Sequence, residues 1–346
     1  LEYSIIALSI KFPFPYIPSM LQHIKGILKP EGYHGKNESG PFFEGWYYKC
    51  VDPKNGHSLA IIPGIYKSPD EEYTEAFIQI LDGSKNKSCY IRFDAGDFLS
   101  YGTSLDISIG PNRFTEGFIY LDLQDGDWQM NGSLTFSGNR PWPSSVRSPG
   151  CMGWYAWMPF MQCYHGVVSM DHVVNGELVV NGKTLHFEKG RGYIEKDWGK
   201  AFPRNWIWLQ ANHFSAQPLS LFVSVAHVPW IRGAFNGFIA GLLTPDDGLI
   251  QFTTYNKARI QRLIANPPVI EMELINGSYR LQLRAETGKS AILKAPTEKG
   301  MLREIDECLN AHIAIYLWKN DRLVLKDESS HGGAEIVGDY KGLEVM

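Results

Sequence analysis

Two short segments hold the residue types best suited to chemistry. In Tyr193-Ile194-Glu195-Lys196-Asp197-Trp198-Gly199, the carboxylates of Glu195 and Asp197 stand two residues apart, so an extended backbone points both to one side. Two close carboxylates cannot both ionise cheaply in an apolar site, and one pKa rises. A protonated carboxyl beside Trp198 and Trp206 is suited to general-acid work. The alternative is a turn in which Asp197 bonds backbone amides and Glu195 pairs with Lys196 or Arg204. In Phe43-Glu44-Gly45-Trp46-Tyr47-Tyr48-Lys49, strand alternation puts Glu44, Trp46 and Tyr48 on one face and Phe43, Tyr47 and Lys49 on the other. A glutamate among aromatics is costly to bury as a bare anion, so Glu44 is expected to be either paired or protonated.

A third segment follows directly. Alternation places Trp206, Trp208, Gln210 and Asn212 on one face and Ile207, Leu209, Ala211 and His213 on the other. Two aromatic rings followed by two carboxamides make a graded surface that suits a ligand with an apolar tail and a polar ring. The same pattern also fits a strand whose amides bond neighbouring loops. Cys163-x-His165 with His172 offers three possible ligands, but their spacing matches no closed zinc pattern, and no metal is expected. There is no G-x-S-x-G elbow, no G-x-G-x-x-G fingerprint and no Walker A sequence, which leaves hydrolase, dinucleotide and nucleotide chemistry without support.

The elements that must position these residues are short strands. Asn-Gly occurs at Asn55, Asn131, Asn175, Asn181, Asn236 and Asn276, and Asp-Gly at Asp82, Asp125 and Asp247. Each tolerates the positive φ of a tight hairpin, so each marks an expected strand reversal, and Asn175 and Asn181 together predict a meander. Between them lie β-branched runs at residues 59–65, 76–81, 118–123, 219–228, 238–243 and 279–283. Helical spacing is limited to residues 20–28, 257–264 and 301–309. The pattern predicts an all-β protein of barrels or sandwiches. Prolines and glycines between residues 138 and 161 predict the break between halves, giving an N-terminal arm (1–24), one β domain (25–150) and a second (151–346). Seven of the ten tryptophans fall between Trp142 and Trp230, as a packed aromatic core or an aromatic-lined pocket would require. No strong internal repeat is visible.

Composition narrows the function classes. The chain has 346 residues, 44% hydrophobic and 20% charged, with a formal charge of −4. A weakly acidic chain without a basic block is a poor partner for nucleic acid. Five scattered cysteines with no CxxC pair fit a reducing compartment, and a cytoplasmic protein is expected. The apolar run before Lys11 is far below the roughly 20 residues that span a bilayer.

Taken together, Phe43–Lys49, Trp154-Tyr155-Ala156-Trp157-Met158-Pro159-Phe160, Tyr193–Gly199, the stretch from Phe202 to Asn212, and Asp327-Glu328-Ser329-Ser330-His331-Gly332-Gly333-Ala334-Glu335-Ile336 resemble the tocopherol cyclase family. The resemblance runs in order from about Gly40 to near the end. It implies two lipocalin-like antiparallel β-barrels or half-barrels packed together, as in the wider group that includes carotenoid hydratases. It implies cyclisation of a prenylated quinol to a chromanol without cofactor or metal, on a hydrophobic small molecule met by peripheral membrane contact. Plant members have asparagine where this chain has Asp197, which turns the acid role toward Glu195 and Glu44. Lys200-Ala201 also replaces a glycine-rich stretch. In this chemistry a carboxylic acid protonates the alkene, the faces of Trp46, Trp198, Trp206 and Trp208 stabilise the tertiary cation, Tyr48 lies on the same face as Trp46, and Gln210 and Asn212 orient the quinol. Two other readings stay open: a hydratase that admits water to the same cation, and a non-catalytic carrier of hydrophobic ligands.

Overall fold

The computed structural model describes residues 26–69, 73–126 and 128–346, of which 26–28 are helical. The expected N-terminal arm, and most of the helix expected over 20–28, lie outside the described residues. The rest is almost entirely antiparallel strand. A first sheet contains β1 (Phe42–Asp52), β2 (His57–Lys67), β3 (Thr74–Asp82), β4 (Lys87–Asp94), β5 (Phe98–Ser100), β6 (Asp106–Ile109), β7 (Asn112–Thr115), β8 (Phe118–Asp125), β9 (Trp128–Ser137), β10 (Cys163–Val180) and β11 (Lys183–Gly199). A second contains β12 (Trp206–Ala211), β13 (Ser220–Trp230), β14 (Gly233–Thr244), β15 (Gly248–Thr253), β16 (Arg259–Asn266), β17 (Val269–Asn276), β18 (Tyr279–Glu286), β19 (Ala291–Thr297), β20 (Gly300–Lys319) and β21 (Arg322–Val337).

Both sheets are wound the same way. In the first, the strands run β4-β3-β2-β1-β11-β10-β9-β8-β7-β6-β5, so the last strand returns beside the first and the sheet almost closes into a barrel. In the second the order is β15-β14-β13-β12-β21-β20-β18-β17-β16, with β19 added on β20, and again the last strand returns to the first. The chain therefore repeats its topology. Strand alternation and turn chemistry specify this path without demanding similar sequences, which is why no repeat is visible in the residues.

Among the described residues four apolar clusters follow from the alternation, three of them large. Trp46, Tyr48, Ile61 and Phe114 fill the first barrel, and Ile207, Leu209, Val223 and Ile313 fill the second. A third cluster lies between them, where Tyr47 and Ala60 of the first sheet meet Trp206, Trp208 and Phe222 of the second. Both faces of β1 and β12 are buried, so the polar side chains they carry are partnered: Glu44 with Lys196, and Lys49 with Gln210.

Several expectations are corrected. The sheets change between Gly199 and Trp206, not within 138–161, because β10 and β11 still belong to the first sheet. The proline-rich segment instead ends in 3₁₀ turns (Gly150–Trp157), kinked at Gly153 where φ is +60°, whose buried side chains pack at the junction. Residues 257–264 and 301–309 lie in or beside β16 and in β20 and are not helical, their β-branched residues being paired in ladders. Asn181-Gly182 makes its hairpin with both residues at positive φ. Asn131-Gly132, Asn175-Gly176 and Asn236-Gly237, however, sit inside β9, β10 and β14. At Gly132 and Gly176 the reason is close backbone approach: a Cβ would lie 2.3 Å from the carbonyl oxygen of Glu177 or Ser133 across the β9–β10 pair.

Candidate active site

The junction of the sheets encloses a cavity of about 210 Å³, lined by Phe43 and Tyr47 of β1, His165, Glu195 and Asp197 of β10 and β11, Trp206 and Trp208 of β12, and Glu307 and Glu335 of β20 and β21. By that measure it has room for roughly ten waters or more, which makes it ligand-sized. Met152 and Tyr155 of the 3₁₀ turns cover it from the side. Aromatic and aliphatic side chains make most of the wall, and the polar groups converge at a few points.

Register brings the acids together. Tyr47 is the β1 partner of Glu195, Trp208 is the β12 partner of Glu335, and Glu335 is the β21 partner of Glu307. Glu195 Oε2 accepts hydrogen bonds from Tyr193 Oη at 2.7 Å and from Trp208 Nε1 at 3.0 Å. Tyr47 Oη donates to Glu307 Oε1, and Trp206 Nε1 donates to Glu335 Oε2 at 2.5 Å. Burial pushes the Glu195 carboxyl up to about 7; His165 opposes the rise, Asp197 adds to it, and the Tyr193 and Trp208 hydrogen bonds favour the anion. Burial likewise raises Glu307 to about 8, against the pull of Tyr47 and Lys49, and it raises Glu335 well above the usual carboxylate range.

His165 binds this group together. Its Nδ1 lies 2.7 Å from Asp197 Oδ1 and its Nε2 lies 3.6 Å from Glu195 Oε2. Burial lowers its pKa, but Asp197 and Glu195 outweigh that and hold it up to about 9. Among the described residues, His165, Glu195 and Asp197 are the group with metal-ligand composition, their ligand atoms all within 4.8 Å of one another. His165 and Asp197 share a hydrogen bond, whereas Glu195 stands beyond hydrogen-bond reach of His165 Nε2, which is buried without a partner of its own.

A neutral carboxyl in an aromatic cavity can deliver a proton to an alkene. The tocopherol cyclase-like family model matches residues 113–338, which include most of this cavity wall. The chain belongs to the tocopherol cyclase-like family. It is 23% identical over 232 residues to the chloroplastic tocopherol cyclase of Zea mays, covering 53% of this chain and 48% of the relative. With the probable chloroplastic tocopherol cyclase of Oryza sativa subsp. japonica it shares 24% over 234 residues, 53% of this chain and 49% of the relative. The chain thus spans about half the length of the curated relatives it matches. Two solved structures share its fold: an AttH-type protein of Nitrosomonas europaea (TM-score 0.50, 12% identity, 98% of this chain and 99% of that one) and CghA with Sch210972 (TM-score 0.51, 11% identity, 86% and 89%).

In this family member the structure divides the residues singled out from sequence. Glu195, Asp197, Trp206 and Trp208 line the cavity together. Glu44 does not. It faces the first barrel, where Lys196 Nζ pairs with it and the amides of His34 and Gly35 donate to it at 2.9 Å. Burial raises its pKa, yet Lys196 and His34 pull it below the ordinary value, so Glu44 is an anion at neutral pH. Trp46 and Tyr48 are in the first barrel's core, Trp46 bonding the Glu31 carbonyl at 2.8 Å and Tyr48 that of Thr115 at 3.1 Å. Trp198 stacks on His34 and Tyr164 with centroids 4.4 and 5.4 Å apart. Gln210 accepts from Lys49 Nζ at 2.8 Å, and Asn212 donates to the Gly192 carbonyl at 2.7 Å, stitching the sheets together beside the cavity.

Sequence reasoning missed Tyr47, Tyr193, His165 as an ion-pair partner, Glu307 and Glu335. For Tyr47 and Tyr193 the signal was present: Tyr193 stands two before Glu195, and Tyr47 lies on the β1 face opposite Glu44. Glu307 and Glu335 come from strands far along the chain, and only the β20–β21 register brings them to the site.

Proposed function

We propose that this protein is a cofactor-independent cyclase that closes a prenylated quinol to a chromanol by protonating the prenyl alkene. The observation that carries the reading is Glu195, a buried carboxyl with a pKa near neutrality, held by Tyr193 and Trp208 in a cavity walled by aromatic rings. Its proton passes to the less substituted alkene carbon, forming a C–H bond as the π bond breaks. The tertiary cation that results lies against rings such as Trp206 and Trp208, each worth about 2 kcal/mol or more to a desolvated cation. The ring oxygen then bonds the cationic carbon and releases its proton, so substrate and product are isomers. Holding the prenyl chain over the ring supplies proximity, and the apolar wall keeps water from the cation. The family membership, matched over residues 113–338, supports this reading.

Such a substrate is lipid-soluble, and the reading includes peripheral contact with a membrane as its source. Among the described residues no helix is long and apolar enough to cross a bilayer. The scattered cysteines support a cytoplasmic location.

The test is incubation of the purified protein in D₂O with a panel of prenylated hydroquinones, read by mass spectrometry. A chromanol isomeric with its substrate, carrying one non-exchangeable deuterium at the former alkene, is the expected product. A product heavier by one water would move the reaction to hydration. Bound but unchanged quinol across the panel would replace the enzyme with a carrier.

A further inference from the structure

Glu307 has an oxygen with nothing to bond. Tyr47 satisfies Oε1, but Oε2 has no hydrogen-bond partner although the residue is only 1% exposed and lines the cavity. A buried acceptor left without a partner is costly, and a ligand group that completes the bond removes that cost. Glu335 is its direct register partner in the neighbouring antiparallel strand, so their Cβ atoms lie about 5 Å apart on the cavity face. Around them stand Trp206, which donates to Glu335, and Tyr47. The charged and titratable groups that act on Glu307 are Tyr47 and Lys49 of β1 and Glu195 of β11; Glu335 of β21 is its register neighbour. Gln210 and Asn212, the carboxamides expected to orient a polar ring, do not line the cavity; Gln210 Oε1 accepts from Lys49 and Asn212 donates to the Gly192 carbonyl.

We propose that Glu307 and Glu335 form the head-group end of the cavity, where Glu307 Oε2 takes the hydroxyl of the substrate's aromatic ring while Glu195 faces the prenyl alkene. This rests on the prenylated-quinol reading and adds to it the recognition of one hydroxyl. A carboxyl is suited to the task because it can accept from the hydroxyl or, when protonated, donate to it. The two ends of the ligand are thereby read by different sheets: the alkene by an acid of β11, the hydroxyl by the β20–β21 pair.

The experiment is equilibrium binding of (3,7-dimethyloctyl)hydroquinone, a prenylated-quinol analogue whose saturated chain cannot be cyclised, and of its di-O-methyl ether, which keeps the carbon skeleton but has no hydroxyl to donate. Wild type is expected to prefer the hydroquinone by about 10-fold or more, which corresponds to about 1.4 kcal/mol. Glu307→Leu is expected to bring that preference to within about 2-fold, while Glu195→Gln retains it. Glu307→Gln, which keeps an acceptor for Tyr47, provides a second variant. An ionised carboxylate accepts more strongly than an amide, so the wild-type preference is expected to rise with pH through about 8 and the Glu307→Gln preference to stay flat. Equal binding of both ligands by wild type, or an unchanged preference in both Glu307 variants, overturns the head-group assignment and leaves the substrate class standing. Binding of neither ligand overturns the substrate class and this inference with it.

Discussion

Trp208 Nε1, on the second sheet, donates to Glu195 Oε2, on the first, across 3.0 Å. The candidate acid is thus held from both sides of the junction, since Tyr193 on its own strand donates to the same oxygen at 2.7 Å. Groups fixed in this way need no rearrangement when charge develops, which is what makes a preorganised site effective. It also ties the reaction to the docking of the two sheets.

Glu195→Gln removes the proton without changing the shape of the side chain. Turnover of a prenylated hydroquinone is expected to fall about 10²–10⁴-fold, the usual worth of a general acid, with little change in ligand affinity. In wild type the acid must be protonated, so kcat is expected to decline as pH rises through about 7. Full turnover in the variant would remove Glu195 from the acid role.

Tyr193→Phe deletes a hydrogen bond that favours the Glu195 anion. The carboxyl then holds its proton more tightly, and the alkaline limb of the pH–rate profile is expected to move above about 7. A donor that is harder to deprotonate is also a weaker acid, so the plateau rate is expected to drop modestly. If the rate falls and the limb does not move, Tyr193 acts on folding and not on Glu195.

These residues show how far the sequence could be read. The two-residue spacing of Glu195 and Asp197, and the alternation of Trp206 and Trp208, place all four on the cavity wall because strand geometry has a strict period of two. That same period gave Glu44, Trp46 and Tyr48 a common face correctly, but could not say which face meets the cavity. The barrel interior took it. The opposite face, with Phe43 and Tyr47, meets the second sheet. Glu307 and Glu335 acquire meaning only from the register of two strands, and His165 only from a side chain 32 residues away. Long-range pairing of this kind leaves no local pattern.

Glu44→Gln separates a structural carboxylate from a catalytic one. Lys196 would be left as a buried cation without its partner, a change that costs about 3–5 kcal/mol in comparable sites. The loss is softened to the extent that Lys196, brought down to about 8 by burial against the pull of Glu44, gives up its proton. Denaturant unfolding is expected to show the lower stability, while kcat per folded molecule stays at the wild-type level. A variant that is stable but inactive would return Glu44 to the reaction.

Asn55-Gly56 and Asn175-Gly176 are the same dipeptide with different duties, and alanine substitution tells them apart. Gly56 has a φ of +73° in a turn with open space where a Cβ would go. Gly56→Ala is therefore expected to cost only the left-handed backbone penalty, about 1–2 kcal/mol. Gly176 has a φ of +132° inside β10, and its added Cβ would stand 2.3 Å from the Ser133 carbonyl oxygen. That oxygen belongs to a strand and cannot swing aside as a side chain can. The β9–β10 ladder must part to admit the methyl group, and Gly176→Ala is expected to cost about 3 kcal/mol or more. Urea titrations of the two variants decide the matter: equal midpoints would mean that Gly176 is an ordinary turn residue and that the strand does not run through it.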